Sequence, residues 1–593
     1  MFVNLKKAQN IIDALIFLLL MIFAGCLSVS YGMERVWDTR NYHIYNPWAL
    51  LNGRIGYDVM PAGIQSYFNP FLDIPYYLAI KYFNNFPTII TFLMGFSYAL
   101  FLFIIYKIAF LVFRNYYPKI LSVICVFLAS GNTMNLRGIG WLSHDMFLGD
   151  LVLLSLYLIL KSMEKYSLRD LFWSGFVLGL CVGLKYTTVI FSVPIGIVLL
   201  LFCKKYTKPL KSMEVFILGG FIGFIISGGI WMYVLYNVFG NPFFPYFNWL
   251  FLSDYINVEN IYMADFGSQI IRIVKKDYWG LILKWNFDKR FEIMFVVFLI
   301  NFALWPFVNK VKFEEYFKIN ENYVDFALLV CFFSYILWIK IFATPRYYAP
   351  MLGLTGIVAI LVLFKALYVL KTVFSFLCKP KEKGKKILKI GGYILFFCCI
   401  CYLTFLLWPN YVLKQEKKLI RVSIGEKLLD IEDLKIPDNS VVLLSEGCGI
   451  IVPFQNSKAR YIKINPVWFS RDGINLYSAE KIEKIKAEIK AKADNIYFIS
   501  DIDLSGADKV NVGDIEKEIH SYKEVGKISV LQSYLYELFK LGVDGKNRKC
   551  HKMKTNLVNE KQNFEASYWF CKVELLQTNS DSGGEGAITN EKN

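Results

Sequence analysis

The sequence predicts a polytopic α-helical membrane protein with about eleven spanning helices and a small C-terminal α/β domain. Of its 593 residues, 56% are hydrophobic and 19% are charged, whereas soluble domains carry about 25% charged residues. The mean hydropathy is +0.41. Apolar runs long enough to cross a bilayer of about 30 Å recur as far as residue 408. A chain with this much apolar surface requires lipid as its solvent.

The predicted spans begin with an uncleaved N-terminal helix at 11–30. This run follows Lys6 and Lys7 but has no clear small-x-small cleavage site and leads directly into a polar aromatic stretch, so we do not interpret it as a signal peptide. Some of the later runs cross a bilayer only with tilt or with help from flanking residues. The further predicted spans are 86–113, 118–132, 143–161, 169–184, 187–203, 214–238, 291–309, 323–342, 347–370 and 389–408.

The net charge of +17 is explained by membrane topology. Lysine and arginine cluster in alternate loops, and no basic face or nucleic-acid motif accompanies them, so nucleic acid is not an expected partner. The positive-inside rule places the basic loops and the N-terminus in the cytoplasm. An odd number of spans then puts the chain after Pro409 outside the cytoplasmic membrane. The basic loops are 114–119, 161–169, 204–211, 310–318 and 379–389.

Three parts follow from this topology: a membrane domain over 1–410, an extracytoplasmic α/β domain over 411–540 and a polar, disordered tail over 541–593. The α/β domain is predicted from three strand-like runs at 441–446, 459–464 and 495–501, with an amphipathic helix between the second and the third. We expect residues 415–540 to fold alone. No CxxC pair occurs, so a structural zinc site is not expected, and a disulfide between Cys550 and Cys571 stays open.

The predicted first outer loop, 31–85, is too apolar to be a free loop and too polar to span. Amphipathic helices lying in the membrane interface fit its composition best. Four of its aromatic residues are then expected at headgroup level. They are Trp37, Tyr42, Tyr45 and Trp48.

Two acids are predicted at the outer ends of spans. Asp38 follows the first span and stands beside Arg40 and His43; it could be a base, a metal ligand or a solvated helix end. Asp145 opens a later span next to His144, and either functional work or a place in the first helical turn would explain this pair. A metal bound by the histidines and acids stays open, because no metal-ligand spacing supports it.

Two cations are predicted on the same side. Arg346 lies in TPRYYAP, before Tyr347, and Lys185 lies in GLKYTT. Arginine is a bidentate partner for phosphate, and lysine would add a point charge. Interfacial snorkelling is the alternative for Arg346. Two acids and two cations predict a site that holds an anionic headgroup and performs acid–base chemistry.

These residues resemble, in their order along the chain, the GT-C superfamily of membrane glycosyltransferases, which use polyprenyl-phosphate sugars as donors. The stretch WDTRNYHIYNPWALLNGR looks like the first outer loop of that superfamily, HDMF like its second acidic site, and TPRYYAP like the Arg-Tyr element that opens a late span. The resemblance covers residues 10–410 and is closest to glycosyltransferase family 87, the aminoarabinose transferases and the protein O-mannosyltransferases.

The resemblance implies that Asp38 deprotonates an acceptor hydroxyl, which attacks the anomeric carbon with inversion while the lipid phosphate leaves. Arg346 and Lys185 would stabilise that phosphate, and Asp145 would orient the acceptor or a metal. The other outer residues would contact substrate; they are Arg40, His43, His144 and Tyr347. Some relatives have adjacent acids in the first loop, whereas here Thr39 follows Asp38, so dependence on a divalent metal stays open.

The implied partners are a polyprenyl-phosphate sugar, membrane lipids, and a glycan, lipid or protein acceptor. Two alternative functions remain at this point. A lipid-linked polysaccharide polymerase or ligase would rely on the outer-loop arginines Arg40, Arg137 and Arg346 more than on Asp38. A transporter or flippase would favour inverted repeats and broken helices, and no repeat is evident. A purely structural role is disfavoured by the polar first loop.

Overall fold

The computed structural model describes two compact units. The membrane unit comprises 1–34, 69–234 and 264–428, and the second unit comprises 35–68, 235–263 and 429–593. The described residues are 2–142, 144–255, 288–342, 344–378, 382–407, 421–422, 425–445, 447–464, 478–492, 495–501, 541–543, 550–557 and 568–575.

The membrane unit is built from helices. They are α1 (Phe2–Tyr31), α3 (Ile74–Phe83), α4 (Pro87–Leu93), α5 (Phe96–Val112), α6 (Pro118–Ser130), α7 (Thr133–Arg137), α8 (Asp145–Glu164), α9 (Leu168–Leu184), α10 (Val189–Phe202), α11 (Pro209–Phe239), α13 (Arg290–Leu304), α14 (Lys310–Phe317), α15 (Glu321–Ile341), α16 (Pro345–Gly353), α17 (Thr355–Cys378) and α18 (Glu382–Leu407). The last few residues of α11 fall in the second unit. The membrane unit also holds a two-stranded antiparallel ladder of β1 (Met33–Glu34) and β2 (Arg421–Val422).

The polytopic helical fold predicted from the sequence is confirmed. Among the described residues, nine helical stretches, each made of one helix or of consecutive short helices, are long and apolar enough to cross a membrane. The two other predicted spans correspond to shorter helices: α6 has 13 residues and α9 has 17. The number of spans therefore depends on whether these two short helices cross fully.

Two predicted spans are broken into shorter helices. The run at 86–113 forms α4 and α5, and Gly95 at their junction lies against α1, where an added Cβ would come within 2.4 Å of the Ala24 carbonyl oxygen. The run at 347–370 is divided at Leu354, so that α16 forms a separate element and the long helix starts at Thr355.

Helices α9 and α11 pack with their backbones in contact. A Cβ on Gly175 would lie 2.0 Å from the Phe216 oxygen, and one on Gly179 would lie 1.9 Å from the Gly220 oxygen. Small residues allow this approach in membrane helices, where apolar side chains gain nothing from leaving lipid. The glycine-rich run at 219–229 lies on α11, and most of its glycines approach the backbone of α9 in the same way.

The second unit contains a mixed sheet. Its helices are α2 (Tyr45–Leu51), α12 (Asn248–Phe251) and α19 (Ala479–Ala491). Its strands are β3 (Val441–Leu444), β4 (Arg460–Lys463), β5 (Ile496–Ser500), β6 (Leu541–Val543), β7 (Cys550–Lys552) and β8 (Trp569–Leu575). The order is β4-β3-β5-β8-β6, with β4, β3 and β5 parallel and β8 antiparallel to β5. The strands and the helix predicted between 441 and 501 are therefore present.

Strand β8 corrects the prediction for the end of the chain. One edge of β8 pairs with β5, and its other edge is shared by β7 and β6. Cys550 and Cys571, which face each other on β7 and β8, form a disulfide. These three strands lie within the segment predicted as a disordered tail, and the polar stretches around each strand hid them.

Residues 35–68 also contribute to the second unit. The amide of Val59 donates to the Tyr461 oxygen at 2.9 Å, and the amide of Lys463 donates to the Val59 oxygen at 3.0 Å, which extends the edge of β4. Tyr42 and Tyr45 are buried, and the Tyr45 hydroxyl donates to Asp58 at 3.0 Å. Their predicted place among lipid headgroups is therefore wrong, whereas Trp37 and Trp48 are partly exposed.

Candidate active site

Three helix ends in the membrane unit bring predicted site residues together. Asp145 is the first residue of α8. Arg346 follows Pro345, with which α16 begins, and Lys185 caps the C-terminal end of α9. Proline is favoured at the first position of a helix, where its missing N–H costs nothing. The sequence therefore fixes the place where α16 begins and with it the position of Arg346.

Asp145 lies between the two cations. Its Oδ1 accepts a hydrogen bond from Lys185 Nζ, and its Oδ2 lies 3.0 Å from Arg346 Nε in an ion pair. The side chain of Asp145 is 8% exposed, that of Lys185 17% and that of Arg346 25%. The group, which we call the Asp145 cluster, carries two positive charges and one negative charge. Its net charge of about +1 suits an anionic ligand.

Tyr347 completes this cluster. Its ring centroid lies 5.3 Å from Lys185 Nζ and 5.3 Å from Arg346 Cζ. Both distances are within the range in which an aromatic ring attracts a cation. Tyr347 therefore lies beside both cations, and its predicted contact with substrate stays a prediction.

The electrostatics of the cluster keep Lys185 charged. Burial alone would lower the pKa of this ammonium group, but the Asp145 carboxylate and the Tyr347 hydroxyl together outweigh burial and the nearby Arg346, and the pKa lies above its ordinary value. Arg346 keeps its charge at any physiological pH. Both cations are therefore available to an anion at neutral pH.

His144 contacts an acid that the sequence did not single out. Its Nε2 lies 2.7 Å from Asp73 Oδ1, and both side chains are largely buried. The ring of Tyr76 stands 5.3 Å from the imidazole. Asp73 stands at the N-cap position before α3, where an aspartate is common in any helix. Only the fold therefore identifies it as the partner of His144.

A small cavity adjoins the Asp145 cluster. Its lining includes His144, Asp145 and Arg346 together with residues of α3, α5, α7 and α16. The side chain of Asn132, which caps α7, donates to the Ala349 oxygen of α16 at 3.0 Å. This hydrogen bond ties α7 to the helix that carries Arg346.

The start of α7 is fixed by a buried ion pair that sequence reasoning also missed. Asp288 accepts from the Thr133 amide at 2.9 Å, and Arg290 lies 2.9 Å from the same carboxylate. Arg290 also donates to the Leu128 and Gly131 oxygens at the end of α6. An acid at a helix N-terminus and an arginine at a helix C-terminus both complement the helix dipoles.

The first-loop residues belong to the second unit. Asp38 precedes a π-helical turn, Thr39–His43, that contains Arg40 and the buried His43. Arg40 pairs with Asp501 at 3.6 Å. Burial opposes the Arg40 charge, but the Tyr568 hydroxyl and Asp501 outweigh it and raise the pKa of the guanidinium. The structure thus gives Arg40 a protein partner, and its substrate contact stays a prediction.

The turn is held by the sheet of its own unit. The Asn41 side-chain oxygen accepts from the Gly447 amide and from Lys463 Nζ, each at 3.1 Å. Gly447 follows β3, and Lys463 ends β4. The backbone next to Asp38 is therefore anchored by residues more than 400 positions away in sequence.

Donor atoms for a divalent metal can be named in part. Within the membrane unit, the Asp73 carboxylate and the His144 imidazole are of the types that such ions prefer. Protein metal sites use three or more side-chain ligands in most cases. These two groups alone do not complete a site, and metal dependence stays open.

Comparison with known proteins points to one class. Residues 79–233 match the family model described as dolichyl-phosphate-mannose-protein mannosyltransferase. This segment includes His144, Asp145 and Lys185. No curated protein matches the chain.

Two solved structures are also similar to this chain. ArnT from Cupriavidus metallidurans, bound to undecaprenyl phosphate, shares 10% identity over 83% of this chain and 93% of its own, with a TM-score of 0.44. The archaeal oligosaccharyltransferase AglB from Archaeoglobus fulgidus, in complex with an inhibitory peptide and a dolichol-phosphate, shares 14% identity. The match covers 82% of this chain and 69% of AglB, with a TM-score of 0.40. The family match lies inside the multi-span helical unit, so this part of the chain is similar to the dolichyl-phosphate-mannose-protein mannosyltransferases.

Proposed function

We propose that this enzyme transfers a sugar from a polyprenyl-phosphate donor to an acceptor hydroxyl of a glycan, lipid or protein. The reaction takes place at the outer face of the cytoplasmic membrane, as an inverting single displacement. The observation that carries the proposal is the Asp145 cluster, in which two cations share one carboxylate. The family description, which names a lipid-phosphate-linked sugar, supports the same donor class.

The cluster suits the leaving group of this reaction. When the bond between the anomeric carbon and the phosphate oxygen breaks, that oxygen takes the electron pair, and the lipid phosphate gains a negative charge. Lys185 and Arg346 stabilise this charge. Preorganised cations act most strongly in a site with little water, because they need no reorganisation during the reaction. The partial burial of both side chains favours this effect.

Asp145 acts through the cations in this proposal. Its two oxygens contact Lys185 and Arg346 separately, so the carboxylate keeps two like charges close together. This is a narrower role than orienting the acceptor or a metal. His144, held by Asp73 on the same small cavity, contacts the substrate.

Asp38 is the proposed base. The acceptor O–H gives its proton to the Asp38 carboxylate, the acceptor oxygen bonds to the anomeric carbon, and the carbon–phosphate oxygen bond breaks. One displacement inverts the anomeric configuration. The anchoring of the neighbouring Asn41 by Gly447 and Lys463 supports a fixed position for this carboxylate.

The proposed outer location has support from the disulfide. Cys550 and Cys571 are joined in the second unit, and disulfides persist in oxidising compartments outside the cytoplasm. The lysine-rich loops support the same orientation of the membrane unit.

The test is transfer by the purified protein from a panel of polyprenyl-phosphate sugars to extracted acceptors. We expect one donor to be consumed, with inversion at the anomeric carbon. Arg346→Ala should raise the donor KM and lower kcat, and Arg346→Lys should restore only part, since a point charge does not replace a planar fork. The control is Lys211→Ala, which removes a cation that is 58% exposed on α11.

Other outcomes would favour other functions. Lipid movement without any transfer would favour a flippase and contradict the proposal. Repeated addition to a lipid-linked glycan, with Arg40 and Arg137 needed more than Asp38, would favour a polymerase or ligase.

A further inference from the structure

A groove of about 1160 Å³ opens beside α18 in the membrane unit. Aromatic rings form its floor. Phe364 stacks on Phe396 with 5.3 Å between centroids and on Phe317 with 4.8 Å, and Tyr116 meets Phe317 edge to face at 5.5 Å. These side chains come from α5–α6, α14, α17 and α18. The groove is therefore a feature of the tertiary fold and not of one helix.

The groove is open because α18 presents glycine to it. Gly391 and Gly392 both line the groove, and a Cβ built on either residue would meet no atom within 4 Å. Only 6% of the window Ile390–Leu407 is buried inside the protein. Two adjacent glycines cost a helix about 1 kcal/mol each relative to alanine. Neither glycine is explained by close packing, in contrast to those of α9 and α11.

One cation lines the groove. Lys371 Nζ lies 3.4 Å from the ring centroid of Tyr316, and Tyr393 and Ser375 add polar groups to the lining. Among the described residues, no carboxylate pairs with Lys371. The sequence just before Gly391 is also basic, with lysines at 379, 381, 383, 385, 386 and 389 against a single acid at 382.

This groove is separate from the Asp145 cluster. Arg346 lies just before α17, whereas Lys371 lies 16 residues after Thr355, at which α17 begins. At 1.5 Å per residue, Lys371 is about 24 Å further along the helix. It lies at the end of the unit that carries the lysine-rich loops.

We propose that the groove binds an anionic phospholipid. A hydrocarbon chain lies on the aromatic floor, beside the two glycines, and the phosphate pairs with Lys371. The charge of the groove selects this ligand over a zwitterionic lipid, since a cation without a carboxylate partner pairs best with a net anion. Tyrosine at the rim is typical of the level at which headgroups lie. This inference does not depend on the proposed reaction.

The experiment measures lipid binding to the purified full chain in detergent by native mass spectrometry. Phosphatidylglycerol and phosphatidylcholine with the same acyl chains are titrated separately. We expect phosphatidylglycerol to bind more tightly. Lys371→Gln should weaken it about fivefold, the worth of one lysine near an anionic headgroup, and should leave phosphatidylcholine unchanged.

A second variant tests the shape of the groove. Gly391→Leu should fill it and reduce binding of phosphatidylglycerol by a similar factor. The matched control is Gly196→Leu on α10, where an added Cβ also meets no atom within 4 Å. This control should bind phosphatidylglycerol as the wild type does.

Three results would overturn the proposal: equal binding of the two lipids, unchanged binding in both Lys371→Gln and Gly391→Leu, or complete displacement of phosphatidylglycerol by a polyprenyl phosphate. If Gly391→Leu fails to fold, Lys371→Gln alone tests the proposal, and unchanged binding of phosphatidylglycerol by this variant overturns it.

Discussion

At the scale of single residues, Asp145 has the most connected position in the candidate site. Lys185 and Arg346 both depend on its carboxylate, although they come from α9 and α16, which are far apart in sequence. Removing the Asp145 carboxylate leaves two positive charges close together with no negative charge between them. Its loss should therefore affect donor handling more than proton transfer.

We predict different kinetic effects for the two acids. Asp38→Asn keeps the side-chain shape and removes the base, so kcat should fall about 10²–10⁴-fold with little change in the donor KM. Asp145→Asn should raise the donor KM as well, since the two cations lose their shared partner. Steady-state kinetics with donor and acceptor varied separately would measure this. The control is Glu214→Gln on the exposed surface of α11. Full activity of a well-expressed Asp38→Asn protein would show that Asp38 is not the base.

A second residue-scale prediction concerns pH. Because the pKa of Lys185 is raised, its ammonium group is charged at every pH below the ordinary lysine pKa of about 10.5. It loses its charge only as the pH rises past the pKa of the folded state. Its contribution to donor binding and to stability is thus fully present at neutral pH. We expect the donor KM to be flat between about pH 7 and 9.5, both in the wild type and in Lys185→Arg. An alkaline rise in KM in the wild type that Lys185→Arg abolishes would show that Lys185 titrates in this range.

At the scale of elements, the helices were predictable and the last strands were not. Long apolar runs identify spans through composition alone, and the strands β3, β4 and β5 are apolar enough to stand out. Strand β8, WFCKVEL, is preceded by a polar stretch. It becomes part of the sheet only by pairing with strands from other parts of the chain. The same reason explains the candidate site. Asp145, Lys185 and Arg346 were predictable from charge at span ends, whereas Asp73 and Asp288 gain meaning only from the fold.

The central position of β8 leads to a prediction about the second unit. A chain that ends at residue 540 lacks the strand that pairs with β5, so the expectation that residues 415–540 fold alone should fail. We predict that the fragment 415–540 gives a circular dichroism spectrum with little sheet, whereas 415–593 gives more. Equal spectra for the two fragments would contradict a structural role for β8.

The disulfide can be tested separately. The double variant Cys550→Ser, Cys571→Ser should lower the free energy of unfolding of the second unit by about 3 kcal/mol, the usual effect of closing a loop of this size. The two cysteines are 21 residues apart. Thermal unfolding of the oxidised wild type, the reduced wild type and the double variant would measure the difference. The reduced wild type and the double variant both lack the disulfide, so their free energies of unfolding should agree.

At the scale of the whole molecule, the orientation of the chain can be checked with two introduced cysteines. Asn52 and Lys208 are both exposed, and the topology places them on opposite sides of the membrane. In intact cells or spheroplasts, a membrane-impermeant maleimide should label Asn52→Cys and should label Lys208→Cys only after permeabilisation. The wild type is the blank for native thiols. The reverse labelling pattern would invert the topology.

The second unit joins segments from the two ends of the chain. The Asp58 carboxylate accepts from the Tyr461 amide across 403 residues, and Arg35 donates to the Leu557 oxygen across 522. Contacts of such long range slow folding, because the ends must meet before the contact stabilises anything. The first-loop turn that carries Asp38 thus acquires its anchors late.

The place of β8 inside its sheet has a consequence for chains that are still on the ribosome. Strands β3, β4 and β5 are synthesised first, but β5 keeps an unpaired edge until residues 569–575 have been added. An unpaired edge can join another chain. A chain that stalls before residue 569 therefore exposes this edge, whereas a chain that has added β8 covers it. A quality-control protease that recognises open strand edges would in this way remove chains that lack β8 and spare chains that have it.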